Sequence, residues 1–349
     1  MLSFRRWAIV FTVRVCVVEE AFGVENLRIK ERPDPVVGPR QVRIAVRMAA
    51  LNYRDLLMVR GHYNPRQPLP LIPLSDGMGV IDAVGDGVSE LSVGDRVAGL
   101  FAPLWQAGEP TTAVIRATRG GPLDGMLAEH VVADASGVAR VPSHLSDAEA
   151  ATLPCAGLTA WSALVTYGRI KAGDTVLVQG SGGVSSFALD FAKMHGARVI
   201  ATTSTGVKAE YLRGRGADVV VRYDQTPEWG KAVRKLSEGG VDHVIEVGGS
   251  GTIAQSMRAV RPGGTISLIG VLAGGAAKLD LTPALMSNVR IQGIFVGHRE
   301  GFIAMSRAID RAGLRPRIDR VFPLEGVADA FGHLASGQHC GKVCIEVTA

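Results

Sequence analysis

From about residue 174 to residue 297 the chain alternates wholly apolar runs with amphipathic ones, and that rhythm leaves few folds open. DTVLVQG, ARVIATTS, DVVVRY, VDHVIEVGG, TISLIGVL and VRIQGIFVG read as strands. VSSFALDFAKMHG, VKAEYLRGRG, PEWGKAVRKLSEGG and TIAQSMRAVRPGG, lying between them, read as helices. A strand that is apolar along its whole length is buried on both faces. Helices must then cover both sides of the sheet, which predicts an α/β class with a doubly wound parallel sheet.

Upstream the pattern is different. VRVCVVEE, QVRIAVRMAA and GVIDAVG alternate with a period of two and are separated by PDPVVGP, GDG and VGD, a signature of antiparallel β structure. GDGVSELSVGDRVAG reads as a hairpin-like pair of short strands. Residues 101–125 lack periodicity and read as a long loop or two loose elements, with Phe101, Leu104 and Trp105 as an apolar wall. SDAEAATLPCAGLTAWSALVTYG reads as a helix, with Ser146 and Glu149 spaced as a capping box. The tail from REGFIAMSRAIDRAG to GKVCIEVTA reads as a helix, a short helix and a last strand that could return to the first domain. The expected division is 1–150, with 1–12 as an extension, then 151–297, then 298–349.

Bulk properties bound the function. The 349 residues suit two domains, and 47% hydrophobic with 20% charged residues is ordinary for a water-soluble globular chain. The net charge of +5 is dispersed, without the basic stripe of a nucleic-acid binder. Four cysteines at 16, 155, 340 and 344 are too scattered for a disulfide framework, which fits a reducing cytoplasm. The C-x3-C pair reads as two strand residues, with only His339 beside it. MLSFRRWAIVFTV has no cleavage-like site after it, and its apolar run is far short of the ~20 residues that span a bilayer. No membrane or nucleic-acid partner is expected.

VLVQGSGGVSSFALDFAK carries the strongest signal. Gly180 permits a tight turn off the strand, and Gly182 and Gly183 let backbone amides approach an anion. The helix after Ser181 and Val184 points its positive end at the same place. Ser185 stands at the third position of G-x-G-x-x-G, a small residue where glycine is usual. Strand, glycine turn and helix in one βαβ unit are the context that dinucleotide binding needs. The next strand ends in Thr202, Thr203, Ser204 and Thr205 without an acid to hold a ribose diol. Hydroxyls with Lys208 suit a phosphate, so NADPH is the expected cofactor, with NADH left open. Val247, Gly248, Gly270 and Val271 end later strands, where an open α/β sheet holds its ligand.

Together with NYRDLLMVRGHY, IPLSDGMGVIDAVG and VSELSVGDRVAG in order, this loop resembles the medium-chain dehydrogenase/reductase superfamily, and within it the zinc-free quinone oxidoreductase and zeta-crystallin-like branch. The resemblance runs from about 13 to 349. It implies a GroES-like β domain, a Rossmann domain and a nicotinamide in the cleft between them. It also implies a hydride acceptor that is a small molecule, either a quinone or an α,β-unsaturated carbonyl. In the zinc enzymes that this chain resembles, a His-Glu pair stands where Ser75 and Asp76 stand here. NYRD replaces the first cysteine ligand, and only Cys155 matches a third ligand. No zinc is expected, since a catalytic site needs three protein ligands. Asp76 is read as a buried, hydrogen-bonded turn acid.

The resemblance places NYRDLLMVRGHY at the cleft, making Asn52, Tyr53, Asp55 and Tyr63 candidate catalytic residues. Asn52 and Tyr63 are candidate donors to a substrate oxygen, and Asp55 a partner for Arg60 or a ribose hydroxyl. Equally, Asn52 and Asp55 could cap a helix and both tyrosines lie in a core. By resemblance Thr159 touches the nicotinamide side and Tyr223 neighbours the adenosine phosphate. Arg299 opens the last long helix near the cleft. Two other functions stay open on these residues: a zinc-free alcohol or aldehyde dehydrogenase, and a catalytically silent NADPH-binding crystallin-like protein. VRIQGIFVG, pairing edge to edge with a second copy, predicts a homodimer.

Overall fold

A computed structural model describes residues 11–276 and 279–348. Most of the expected N-terminal extension, residues 1–10, lies outside the described residues. Among the described residues no helix is long and apolar enough to cross a membrane. The first part of the chain supplies β1 (Thr12–Val18), β2 (Leu27–Pro33), β3 (Gln41–Ala50), β4 (Asp76–Val84), β5 (Arg96–Gly99), β6 (His130–Asp134) and β7 (Val138–Arg140). The ladders among them are antiparallel. In β3, Val42, Ile44 and Val46 are fully buried, so the period-two pattern faces a core as the sequence predicts.

The second part supplies β8 (Thr175–Gln179), β9 (Arg198–Thr203), β10 (Val219–Arg222), β11 (Val241–Glu246), β12 (Val260–Leu268) and β13 (Arg290–Gly293). They form one parallel sheet in the order β10-β9-β8-β11-β12-β13. The direction of winding reverses between β8 and β11, which opens a crevice beyond their carboxyl ends. This is the doubly wound sheet that the alternation predicts, beside a GroES-like β domain.

The tail adds β14 (Ile318–Pro323) and β15 (Lys342–Glu346) to the first domain's sheet, giving β14-β15-β3-β4-β5-β7 with β6 on β3. β15 runs antiparallel to β3, with Cys344 opposite Ala50.

Four local readings need correction. β14 was not expected, because most of its residues are at least partly exposed and leave no apolar pattern. In GDGVSELSVGDRVAG only Arg96–Gly99 is a strand, and it pairs with β4. The residues before it are turns, with Gly87 and Gly94 at φ of 80° and 94°. In VRIQGIFVG the strand stops at Gly293, and Phe295 turns to pack edge-on against Phe101 at 5.7 Å. The helix from 147 is interrupted after Ala151, where Pro154 opens wider π-type turns over Leu153–Gly157 and Ser162–Thr166. Within 101–125 the loop includes a short helix, Thr112–Arg116, and buries Phe101 and Trp105 while Leu104 stays 52% exposed.

Candidate active site

The glycine loop leaves β8 at Gly180, whose φ of 75° is a left-handed conformation that glycine adopts without strain. The Gly180 amide donates to Thr202 O at 2.8 Å, tying the loop to the end of β9. Gly182 caps helix Gly183–Met194 with no side chain of its own, so the first amides of that helix are left for a ligand. Ser185 is buried and donates to Gln179 O at 2.6 Å. Its hydroxyl therefore packs helix against strand, which explains how a serine replaces the third glycine. Ser181 is buried beneath the tail: the Gly341 amide donates to Ser181 O at 2.9 Å. Val184 follows in the helix's first turn. Backbone amides, a left-handed glycine and an uncapped helix start fit a pyrophosphate.

At the far end of the crevice, Thr203 is buried with a hydroxyl that has no hydrogen-bond partner. Tyr223 is partly exposed, and its amide donates to Thr203 O at 2.9 Å. Lys208 sits in the first turn of helix Gly206–Gly214, where its amide donates to the capping Thr205 hydroxyl. Its ammonium donates to Gly337 O at 2.5 Å rather than standing free. Arg222, which the sequence reading missed, also lies at the helix start, with Nε and Nη2 donating to Asp224 and Nη1 turned the other way. Its Nη1 is 3.9 Å from where a side chain on Gly206 would begin.

The ends of β11 and β12 meet through backbone bonds. Leu272 N donates to Val247 O at 3.2 Å, and Ala273 N to Gly248 O at 2.7 Å. A side chain on Gly270 would begin 2.5 Å from Val247 O, so only glycine allows this approach. Val271 is half-exposed beside it. Underneath lies a carboxylate that sequence reading also missed. Glu246, fully buried, accepts at Oε1 from Gly248 N, Gly249 N and Thr252 Oγ1, and at Oε2 from Gln179 Nε2 and Ser256 Oγ.

On the facing domain, helix Tyr53–Val59 starts at the cleft. Asp55 is fully buried; Oδ2 accepts from Asn52 N at 2.9 Å and Oδ1 from Ser75 N at 3.2 Å. Its arginine partner is Arg54, at 3.1 Å, not Arg60. The reason is that carbonyls of Arg119, Gly120 and Gly121 also capture the Arg54 guanidinium. That guanidinium then stacks 4.9 Å over the Tyr63 ring and 5.3 Å over Phe101. Neither tyrosine is a core residue, Tyr53 being 40% and Tyr63 46% exposed.

Asn52 donates from Nδ2 to Ser75 Oγ at 3.3 Å, and Ser75 donates to Asp76 Oδ1 at 3.2 Å. Asp76 opens β4 rather than a turn, is fully buried, and has no hydrogen-bond partner at Oδ2. Burial pushes its carboxyl up to about 6, against the pull of the Lys342 ammonium 3.7 Å away. Lys342, at the start of β15, is only 4% exposed and donates to Leu51 O at 2.6 Å and Asn52 Oδ1 at 2.5 Å. It reaches them across the glycine loop, since a side chain on Gly183 would begin 2.6 Å from Lys342 Cδ. The sole sequence signal for Lys342 is a cation placed directly before the apolar run Val343–Ile345.

Thr159 is buried in the turn Leu158–Trp161. The preceding Ala156 packs 3.3 Å from the same Gly183 position. Arg299 sits apart from these groups: its amide donates to Trp105 O at 2.9 Å and its guanidinium faces Glu90 at 3.9 Å.

Among the described residues no three His, Cys, Asp or Glu side chains converge as a metal would require. The donor set at Asp76 does not suit zinc either. Ser75 donates to the carboxylate and an ammonium already faces it, a group with no lone pair to give a metal.

Known proteins resemble the chain over nearly its whole length. Residues 38–143 match the model of the alcohol dehydrogenase GroES-like domain, and residues 183–311 that of zinc-binding dehydrogenase. A zinc-type alcohol dehydrogenase-like protein of Schizosaccharomyces pombe is 37% identical over 345 residues, 96% of this chain and 99% of that protein. Quinone oxidoreductase-like protein 2 of Mus musculus is 31% identical over 335 residues, 93% of this chain and 89% of that protein. The crystal structure of an NAD-dependent alcohol dehydrogenase matches with a TM-score of 0.88 at 32% identity, covering 96% of this chain and 100% of that one.

Proposed function

This chain belongs to the medium-chain dehydrogenase/reductase superfamily, as a zinc-type alcohol dehydrogenase-like member, and on that premise we propose that it is a zinc-independent reductase carrying hydride from NADPH to a quinone or an α,β-unsaturated carbonyl. Membership by itself makes it a pyridine-nucleotide oxidoreductase of the alcohol dehydrogenase and quinone oxidoreductase type. The finer reading rests on one observation: the Lys342 ammonium faces Asp76 Oδ2, and it is a donor with no lone pair to give a metal. A second cation there would be repelled, and alcohol oxidation without a Lewis acid lacks an obvious means to form the alkoxide. Reduction of a conjugated carbonyl asks less.

The reduced nicotinamide supplies the hydride. As it is delivered, negative charge grows on the acceptor oxygen, and the amide of Asn52 is the buried donor suited to meet it. Tyr63, exposed at the mouth and stacked under Arg54, adds a hydroxyl. Removing such a donor costs roughly 100-fold in kcat. Asn52→Ala should therefore lower kcat by about that factor while NADPH still binds, measured by NADPH oxidation with quinones, enals and ketones. Metal analysis belongs on the same sample. Stoichiometric zinc, or alcohol oxidation lost on chelation, would replace this reading with the alcohol dehydrogenase one.

Preference for NADPH is supported by the Thr203 and Ser204 hydroxyls, the absence of an acid at the end of β9, and Arg222 beside Gly206. Charge-assisted bonds of this kind contribute about 1.5–3 kcal/mol each. Arg222→Ala should raise the KM for NADPH at least ~10-fold and leave that for NADH nearly unchanged. Equal change with both cofactors would remove Arg222 from the phosphate site. The same reading includes a homodimer, supported by the edge strand β13, which exposes Ile291, and by the preceding helix, which exposes Leu285 and Met286.

A further inference from the structure

We infer that His339 is a further cofactor-binding residue, donating from Nε2 to the dinucleotide pyrophosphate on the side of the glycine loop that the tail covers. This rests on the reading of that loop as a dinucleotide site, and it holds for NADPH and NADH alike.

The tail is fastened over the loop on both sides of His339. Before it, the Lys208 ammonium donates to Gly337 O at 2.5 Å. After it, Cys340 N donates to Asp319 Oδ1 at 2.9 Å, and Gly341 N to Ser181 O at 2.9 Å. Gly182 and Gly341 therefore run side by side as an isolated parallel bridge. The half-buried imidazole lies between these ties. Its Nε2 comes 4.0 Å from where a side chain on Gly182 would begin, at the start of the helix whose first amides are left for a ligand. Nδ1 is enclosed in the protein with no hydrogen-bond partner. A proton there would be a buried donor without an acceptor, which costs more than a buried lone pair. The neutral ring therefore carries its proton on Nε2, where it faces the loop. Neutrality follows from the surroundings. Burial holds the imidazole down at about 4, helped by Lys208, His333 and Lys342, and Asp319 pulls the other way. That carboxylate is already shared with His333 Nε2 at 2.7 Å. His339 thus has a donor and a fixed mounting, and a phosphate oxygen at the loop is the acceptor that suits it.

Fluorescence titration of the full chain with NADPH and with NADH, beside melting curves, tests it. His339→Phe keeps a ring and removes the donor. His339→Gln sets an amide nitrogen where Nε2 stood, and His339→Asn is too short to reach that point. His339→Phe and His339→Asn should raise Kd roughly 10-fold for both nucleotides, with His339→Gln within about 3-fold of the parent. Melting temperatures should stay within about 2 °C of the parent, since Nδ1 has no bond to lose. If His339→Phe fails to fold, the gap between His339→Gln and His339→Asn carries the same test. Unchanged affinity in His339→Phe overturns the inference. So does His339→Gln binding as weakly as His339→Phe, which would make the ring a filler only. A loss confined to NADPH, or one seen only where the melting temperature falls too, overturns it as well. A parent chain that binds neither nucleotide overturns the earlier reading of the loop, and this one with it.

Discussion

Gly183→Val is expected to abolish measurable dinucleotide binding while the chain still folds. The first new carbon would lie 2.6 Å from Lys342 Cδ and 3.3 Å from Ala156 Cβ. Lys342 cannot swing aside freely, because its ammonium is fixed on Leu51 O and Asn52 Oδ1. The two further methyl groups would stand at the helix start, over the amides that a pyrophosphate needs. Gly183 is not among the residues with positive φ, so valine strains the backbone little, and overpacking costs about 1–3 kcal/mol. NADPH affinity, by contrast, should fall by at least ~100-fold, since several phosphate-to-amide bonds are lost together. Fluorescence titration beside a melting curve separates the two effects. Affinity within threefold of the parent would take this loop out of the site.

Glu246→Gln should have the largest effect on stability. The carboxylate accepts five hydrogen bonds in a fully buried position, from Gly248 N, Gly249 N, Thr252, Ser256 and Gln179. An amide keeps the shape but turns one acceptor into a donor that faces donors. The unsatisfied groups and lost charge cost about 3 kcal/mol. For a domain of this size that lowers the melting temperature by roughly 6–12 °C. NADPH binding should weaken as well, because the turn at Val247 and Gly248 is built on this carboxylate. A melting temperature within about 2 °C of the parent would show that the network contributes little.

The features legible in the sequence were those with local causes. A buried parallel strand needs continuous apolar residues, so β8, β9 and β11 announced themselves in TVLVQ, RVIATT and VDHVIE. The glycine loop was legible because strand, turn and helix follow one another directly. Lys342 was not, because its partner Asn52 is 290 residues away in sequence and nothing local marks the pairing. Glu246 looked like an ordinary strand end, since its ligands come from Gln179 on a neighbouring strand as well as from its own turn. The partner of Asp55 was misread for a related reason. Which arginine it meets is decided by carbonyls at 119–121, in the segment with the least pattern. Arg222 was passed over because nothing in the sequence brings the end of β10 beside Gly206 at the start of the preceding helix.

Because β15 lies against β3, the opening domain is sealed by a strand that leaves the ribosome after β1 to β14. During synthesis the Rossmann sheet has all six strands available while Met48–Ala50 of β3 still lacks a neighbour on one side. An unpaired edge of that kind invites association with other chains. A growing polypeptide of this design therefore has its greatest need of a chaperone in the interval before Lys342–Glu346 emerges.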